Sequence, residues 1–219
     1  MKYSRDAIRM ATLEIPHGGL LVLNEAGGGS KPKKIWHCAK DCPDSIIVAC
    51  DVIPLSGASN HLLQGGCPNF ITTNECSEQF VRDKLRGNVA LLRTPAFDTN
   101  WYTDGGILDQ LQNLIRHKKL TPVCYKRRGA HSSGIATKKT IEALREIPEF
   151  RQYIEQLQEN FAIRSFWVLV HGSDGEHDWH PDTFIADATH RFILSLGCSR
   201  EGGPRKTMGF AHYKDVSKL

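Results

Sequence analysis

The sequence predicts an α+β fold, and three observations carry that expectation. Short runs rich in β-branched and aromatic residues gather at both ends of the chain. Between them, apolar residues recur at helical spacing. The 219 residues, 40% hydrophobic and 24% charged, are enough to bury a core without disulfides or metals as staples. Strands at the two ends with helices between them make sense as one core if the two ends of the chain come together.

Taken in order, Leu20-Leu21-Val22-Leu23 follows Pro16-His17-Gly18-Gly19 and reads as a strand, closed by the glycine turn 27–29. Lys34-Ile35-Trp36-His37 is a second strand, and Ser45 to Ile53, rich in Val and Ile, is a third. Residues 55–74 look like loop, with Gly57, Gly65, Gly66 and Pro68. A helix is expected from Ser77 to Gly87, where glycine favours a stop. A second runs from Asp109 to Lys119, with Leu108, Leu111, Leu114 and Ile115 on one face. Thr137 to Asn160 is helical with a break at Pro148. Strands return at Phe166–Val170, Arg191–Leu196 and Lys206–Tyr213. The expected organisation is a single domain over 1–219, with 1–53 and 161–219 as sheet core and 54–160 as a helical and loop insert covering it.

The net charge of +4 permits an anionic partner such as nucleic acid without demanding one. No apolar run reaches the roughly 20 residues of a membrane span, so no membrane partner is expected. Met1 to Asp6 lacks the apolar core of a signal peptide. Seven cysteines, an odd number, then suggest free thiols and an intracellular, cytoplasmic or nuclear protein. His37-Cys38 and Cys42 have no Cys-x-x-Cys companion, and a structural zinc site is not expected.

The sharpest chemical feature is Asp178-Trp179-His180-Pro181-Asp182. Alternate strand residues share a face, so His180 and Asp182 can both point at one metal from a strand-to-loop junction. With one distant histidine they form a two-His-one-carboxylate set, which leaves Fe(II) open positions for a cosubstrate and O₂. Taken alone, His-x-Asp also fits a polar surface loop, since Asp174, Glu176, His177 and Asp178 lie beside it.

The surroundings add to the pair. Gly172-Ser173-Asp174-Gly175 leads into it, and Ser195-Leu196-Gly197-Cys198-Ser199-Arg200 ends the strand that follows. The order resembles the AlkB-like branch of the 2-oxoglutarate, Fe(II)-dependent oxygenases. That family needs a further strand pair and a distal histidine, and the residues similar to them stand at the other end of this chain, in Leu13–Leu23 and Ile35-Trp36-His37-Cys38. The resemblance covers roughly 10–53 and 120–213. It implies a circularly permuted double-stranded β-helix, jelly-roll-like, with flanking helices. It implies Fe(II) on His180, Asp182 and His37, 2-oxoglutarate as cosubstrate, and a methylated nucleic-acid base as the leading substrate, with hydroxylation of a protein or small molecule equally compatible with the fold. Lys126, Arg127 and Arg128, a run that by itself reads as a solvated face, fall where such enzymes contact substrate, and Trp179 reads as core or as pocket wall against the substrate. The chain departs from the family in one respect. The strand Asp44–Ile53 has no arginine for the cosubstrate carboxylate, and Arg191, Arg200 or Lys206 would have to supply the cation.

Two other readings stand beside this one. Asn74-Glu75-Cys76-Ser77 resembles the nucleophile helix of permuted papain-like hydrolases and acyltransferases, where a helix N-terminus lowers a cysteine pKa. His17, at the start of a strand, would then be the base, and His37 could be the second polar member. The absent arginine equally suits a non-catalytic binding or structural protein that keeps the fold. Among the remaining histidines, His177 could compete as a ligand and His212 could stand behind the metal, while His17 reads as a turn residue.

Overall fold

The computed structural model describes residues 11–15, 17–24, 35–40, 45–55, 71–72, 89–97, 101, 104–123, 136–170, 176–181, 185, 187–197 and 206–212. They form an α+β structure of two antiparallel sheets and three helices. In chain order the strands are β1 (Ala11–Ile15), β2 (Gly19–Asn24), β3 (Ile35–Lys40), β4 (Ile46–Pro54), β5 (Ile71–Thr72), β6 (Val89–Arg93), β7 (Phe161–Val170), β8 (Glu176–Pro181), β9 (His190–Leu196) and β10 (Lys206–His212). The smaller sheet has the order β1-β10-β3-β8, and the larger has β5-β6-β2-β9-β4-β7. Both ends of the described chain therefore contribute to both sheets, and β1 pairs with β10, Ala11 opposite Phe210.

Strict alternation along the larger sheet divides its side chains between two cores. Leu20, Val22, Val48, Cys50, Val52, Phe192, Leu194 and Phe166 turn toward the helices. Leu21, Leu23, Ile47, Ala49, Ile193 and Leu169 turn the other way and pack with Ile15 and Met208 of the smaller sheet. The second core is thus the space between the sheets. A bulge at Asp51/Val52 inserts Arg164 into β7, so Phe161 and Ile163 stay on the helix side while exposed Arg164 reaches Asp187 at 3.0 Å.

The helices are α1 (Ile107–Arg116), α2 (Thr137–Leu144) and α3 (Pro148–Asn160). Helix α1 begins two residues before the expected Asp109, which instead accepts a 2.8 Å hydrogen bond from the Gly105 N–H. That carboxylate sits in the first turn, where the helix dipole favours it. The helix stops at Arg116, short of Lys119, because Lys118 adopts the left-handed region (φ 57°). The expected break at Pro148 is present, with proline at the start of α3, where its missing N–H costs nothing. Phe150, Tyr153, Ile154 and Leu157 form the buried stripe of α3, and the Phe150 ring meets Phe97 at 4.9 Å.

Three differences from the sequence reading stand out. β5 and β6 lie within 54–160 and extend the larger sheet beside β2, where helix and loop were expected. His180 lies inside a strand of its own, β8. Strands β4 and β7 run on to Pro54 and from Phe161, longer than the apolar runs alone. The helix expected at Ser77–Gly87 lies outside the described residues.

Candidate metal centre

His37 and His180 occupy directly opposed positions on the neighbouring strands β3 and β8. Opposed positions of an antiparallel pair lie on the same face, their Cβ atoms about 5 Å apart by general geometry. A bulge follows immediately, since His177 opposes Ala39, which leaves two residues of β8 against Cys38.

Which face they share follows from register. Met208 is buried between the sheets, and it pairs with Ala39 on one side and Leu13 on the other. Position 210 lies two residues on along β10, hence on the same face, and it pairs with position 37. Positions 37 and 180 therefore belong to the inner face of the smaller sheet. Asp182 lies outside the described residues, two positions beyond His180 in the sequence.

The larger sheet places a buried ion pair across the same space. Asp51 and Arg191 are opposed on β4 and β9, in the inner-face register of Ala49 and Ile193. Arg191 donates from Nε to Asp51 Oδ1 at 2.6 Å and from Nη2 to Oδ2 at 2.9 Å, a two-pronged contact. Its guanidinium lies 4.9 Å from the centre of the Trp167 ring. Asp51 is 0% exposed and Arg191 7%. Because β8 leads to β9 and β3 leads to β4, this pair and the two histidine positions stand at the same end of the two sheets.

The connection from β8 to β9 is anchored there at several points. The Ile185 N–H donates to Asp51 Oδ2 at 3.1 Å. The Ala188 N–H donates to the Ile185 carbonyl, and the Thr189 N–H to the Val52 carbonyl. Arg164 grips both oxygens of Asp187 and holds its carboxyl below the ordinary range. His190 follows, buried, its Nδ1 2.9 Å from the Thr189 hydroxyl. Burial pushes its imidazole down to about 4, so it is neutral at physiological pH.

The other residues singled out from sequence divide as follows. Arg191, considered for a cosubstrate carboxylate, has its Nε/Nη2 edge on the carboxylate of Asp51. Lys206 opposes Ile15 on β10, four residues from Phe210 and so about 13 Å along the strand from the histidine row. Arg200, Lys126, Arg127, Arg128 and Cys76 lie outside the described residues. Trp179 is on β8 between His177 and His180. His17 sits in the turn between β1 and β2 and is fully engaged with backbone. Its Nδ1 accepts from the Gly197 N–H at 2.9 Å and its Nε2 faces the Phe97 carbonyl at 2.7 Å, which fixes the proton on Nε2. Cys50 is buried on the helix side, and burial, then the Asp51 charge, push its thiol well up, away from nucleophilic character.

Asp51 and Ser165 were not anticipated. A signal for the first was present: Asp51 and Arg191 are lone opposite charges within two apolar strand segments. Two such strands can hide those charges only against each other. Among the described residues no helix is long and apolar enough to cross a membrane, and no cluster of three metal-ligating side chains is formed. No family model, curated protein or solved structure matches the chain.

Proposed function

We propose that this protein is an Fe(II)-dependent oxygenase on a circularly permuted double-stranded β-helix, AlkB-like in its metal centre. The observation that carries the reading is the opposition of His37 and His180 on one inner face. Two residues from opposite ends of the sequence meet there, and a carboxylate, Asp182, follows two positions after one of them. Two imidazoles and one carboxylate suit Fe(II) and leave coordination positions open.

Strand order supports the scaffold. From β7 the chain alternates larger, smaller, larger and smaller sheet through β10; from β1 it alternates smaller, larger, smaller and larger through β4. A double-stranded β-helix winds between its sheets in this way. The antiparallel pairing of β1 with β10 lies where a hairpin would join the two halves in an unpermuted chain. Termini that lie close together are the condition under which permutation is tolerated.

In this reading the chain's residues hold and shield. His37, His180 and Asp182 bind the metal, and the apolar inter-sheet core beneath them excludes water. Bound Fe(II), with 2-oxoglutarate and O₂, supplies oxidation of a C–H bond. An N-methyl group on a nucleobase is the leading substrate, and the base must be unpaired or flipped to reach the centre. With the Arg191 fork on Asp51 and Lys206 at the far end of the strand, the cosubstrate carboxylate is held by another cation, Arg200.

Iron content of protein purified without oxygen is the test. Near-stoichiometric iron, lost in His180→Ala and His37→Ala, is the expected result, followed by succinate formation from 2-oxoglutarate. Equal and negligible iron in all three proteins would overturn the proposal.

A further inference from the structure

We infer that Asp51 is the positioning residue of this centre: its carboxylate ties the ligand arm, the chain that leaves β8, to the larger sheet at Ile185. The inference rests on the metal-centre reading above. On one side the arm is β8, paired with β3, His180 opposite His37 and Pro181 opposite Trp36. On the other it is Ile185, third in sequence after Asp182, whose N–H is held by Asp51 Oδ2 at 3.1 Å.

Asp51 is placed to do more than cross-link two strands. Its two oxygens accept from Arg191 of β9 and from Ile185 of the crossing segment, and its own N–H approaches Ser165 Oγ of β7 at 3.3 Å. One buried carboxylate therefore joins a central strand to its neighbour strand and to the ligand arm. A backbone N–H bonded to an ionised carboxylate is held more strongly than one bonded to a carbonyl. Two hydrogen bonds from Arg191 aim that carboxylate, and Trp167 packs on the guanidinium. Asp51 and Arg191 are the buried charged residues among the described ones, and both stand in the inner-face register of the larger sheet. Burying a pair there has a desolvation cost that apolar residues would avoid. Anchoring a polar backbone group next to the proposed ligand is a role that apolar residues cannot fill.

Anaerobic titration of the full chain with Co(II), followed by its d–d absorption, reads affinity and coordination geometry without turnover. Groups that orient metal ligands typically change affinity 10–100-fold when removed. Asp51→Asn is expected to weaken Co(II) binding about tenfold or more and to shift the d–d bands. Asp51→Leu/Arg191→Met, which leaves no unpaired charge, keeps the test decisive where the single variant fails to fold, and the same weakening is expected. Val168→Ala, in the helix-side core, controls for lost stability and is expected to keep the native affinity and spectrum. Native affinity and bands in the double variant, with binding abolished in His180→Ala, would overturn the role of Asp51 alone. Identical titrations of the native chain and His180→Ala would overturn the metal centre, and the positioning role with it.

Discussion

Replacing Arg191 with methionine is the most informative single perturbation of the scaffold. The substitution removes two hydrogen bonds, 2.6 and 2.9 Å, from a carboxylate with no solvent exposure. Hydrogen bonds to charged groups contribute about 1.5–3 kcal/mol each, which puts the loss at roughly 3–6 kcal/mol. Halving a buried ion pair costs about 3–5 kcal/mol in general, and the two ranges agree. The expected loss for Arg191→Met is thus about 3–5 kcal/mol, a large share of the 5–15 kcal/mol of an ordinary domain. Asp51→Leu strands the guanidinium instead and falls in the same range. The double variant buries two apolar groups and retains a deficit of only about 1–3 kcal/mol, because the Ile185 N–H loses its acceptor. Urea unfolding of all four proteins, followed by circular dichroism, gives the coupling energy directly. Added salt changes it little, since a buried pair is poorly screened. Single losses below about 1 kcal/mol that simply add in the double variant would refute the reasoning, for that is how a solvated pair behaves.

Further outcomes follow from other parts of the structure. The unfolded imidazole of His190 takes up its proton near pH 6.5 and the folded one near about 4. Between those values the unfolded state binds more protons, so stability falls as pH drops through this window, by up to about 1.4 kcal/mol per unit. His190→Phe removes that part of the slope; a pH-stability profile unchanged by the substitution contradicts burial of a neutral histidine. His17→Ala leaves the Phe97 carbonyl and the Gly197 N–H without their ring partners and costs about 2–4 kcal/mol. Iron content per folded molecule stays native in that variant, and a loss of iron with unchanged stability is the contrary result. Lys119→Ala breaks a 2.8 Å contact with Glu146 between two half-exposed side chains and costs less than about 1 kcal/mol in the same urea assay.

β2, β4, β7 and β9 were legible because each holds an apolar run with β-branched content and a turn signal beside it. β6 was not. Val89-Ala90-Leu91-Leu92-Arg93 holds one β-branched residue and would serve as well in a helix; the open edge of β2 makes it a strand. β8 has no apolar alternation at all, Glu176-His177-Asp178-Trp179-His180-Pro181, and its conformation comes from the ladder that β3 offers. Within the candidate site, the spacing of His180 and Asp182 is a local signal and was readable. His37 carries no local mark; only pairing with a strand from the far end of the sequence sets it opposite His180. Arg191 was readable as a cation near the pair, but not its partner, because Asp51 is a neighbour only once β4 lies against β9.

The space between the sheets is filled unevenly, and that unevenness links the stability and metal expectations. Toward the Lys206 end it is closed by Ile15, Ile47, Leu169 and Met208, side chains that need no partner but one another. Toward the other end stand Asp51, Arg191 and Trp167 on one sheet and the two histidine positions on the other. An apolar filling throughout would satisfy the fold, since buried ion pairs are commonly replaced by apolar residues at little net loss. The charged end therefore has to be explained by what it holds in place rather than by what it stabilises. Asp51→Leu/Arg191→Met separates the two: folding largely survives, while Co(II) affinity falls by about tenfold or more. A variant that is almost as stable as the native chain and binds the metal as tightly would leave the buried pair without a function at this site.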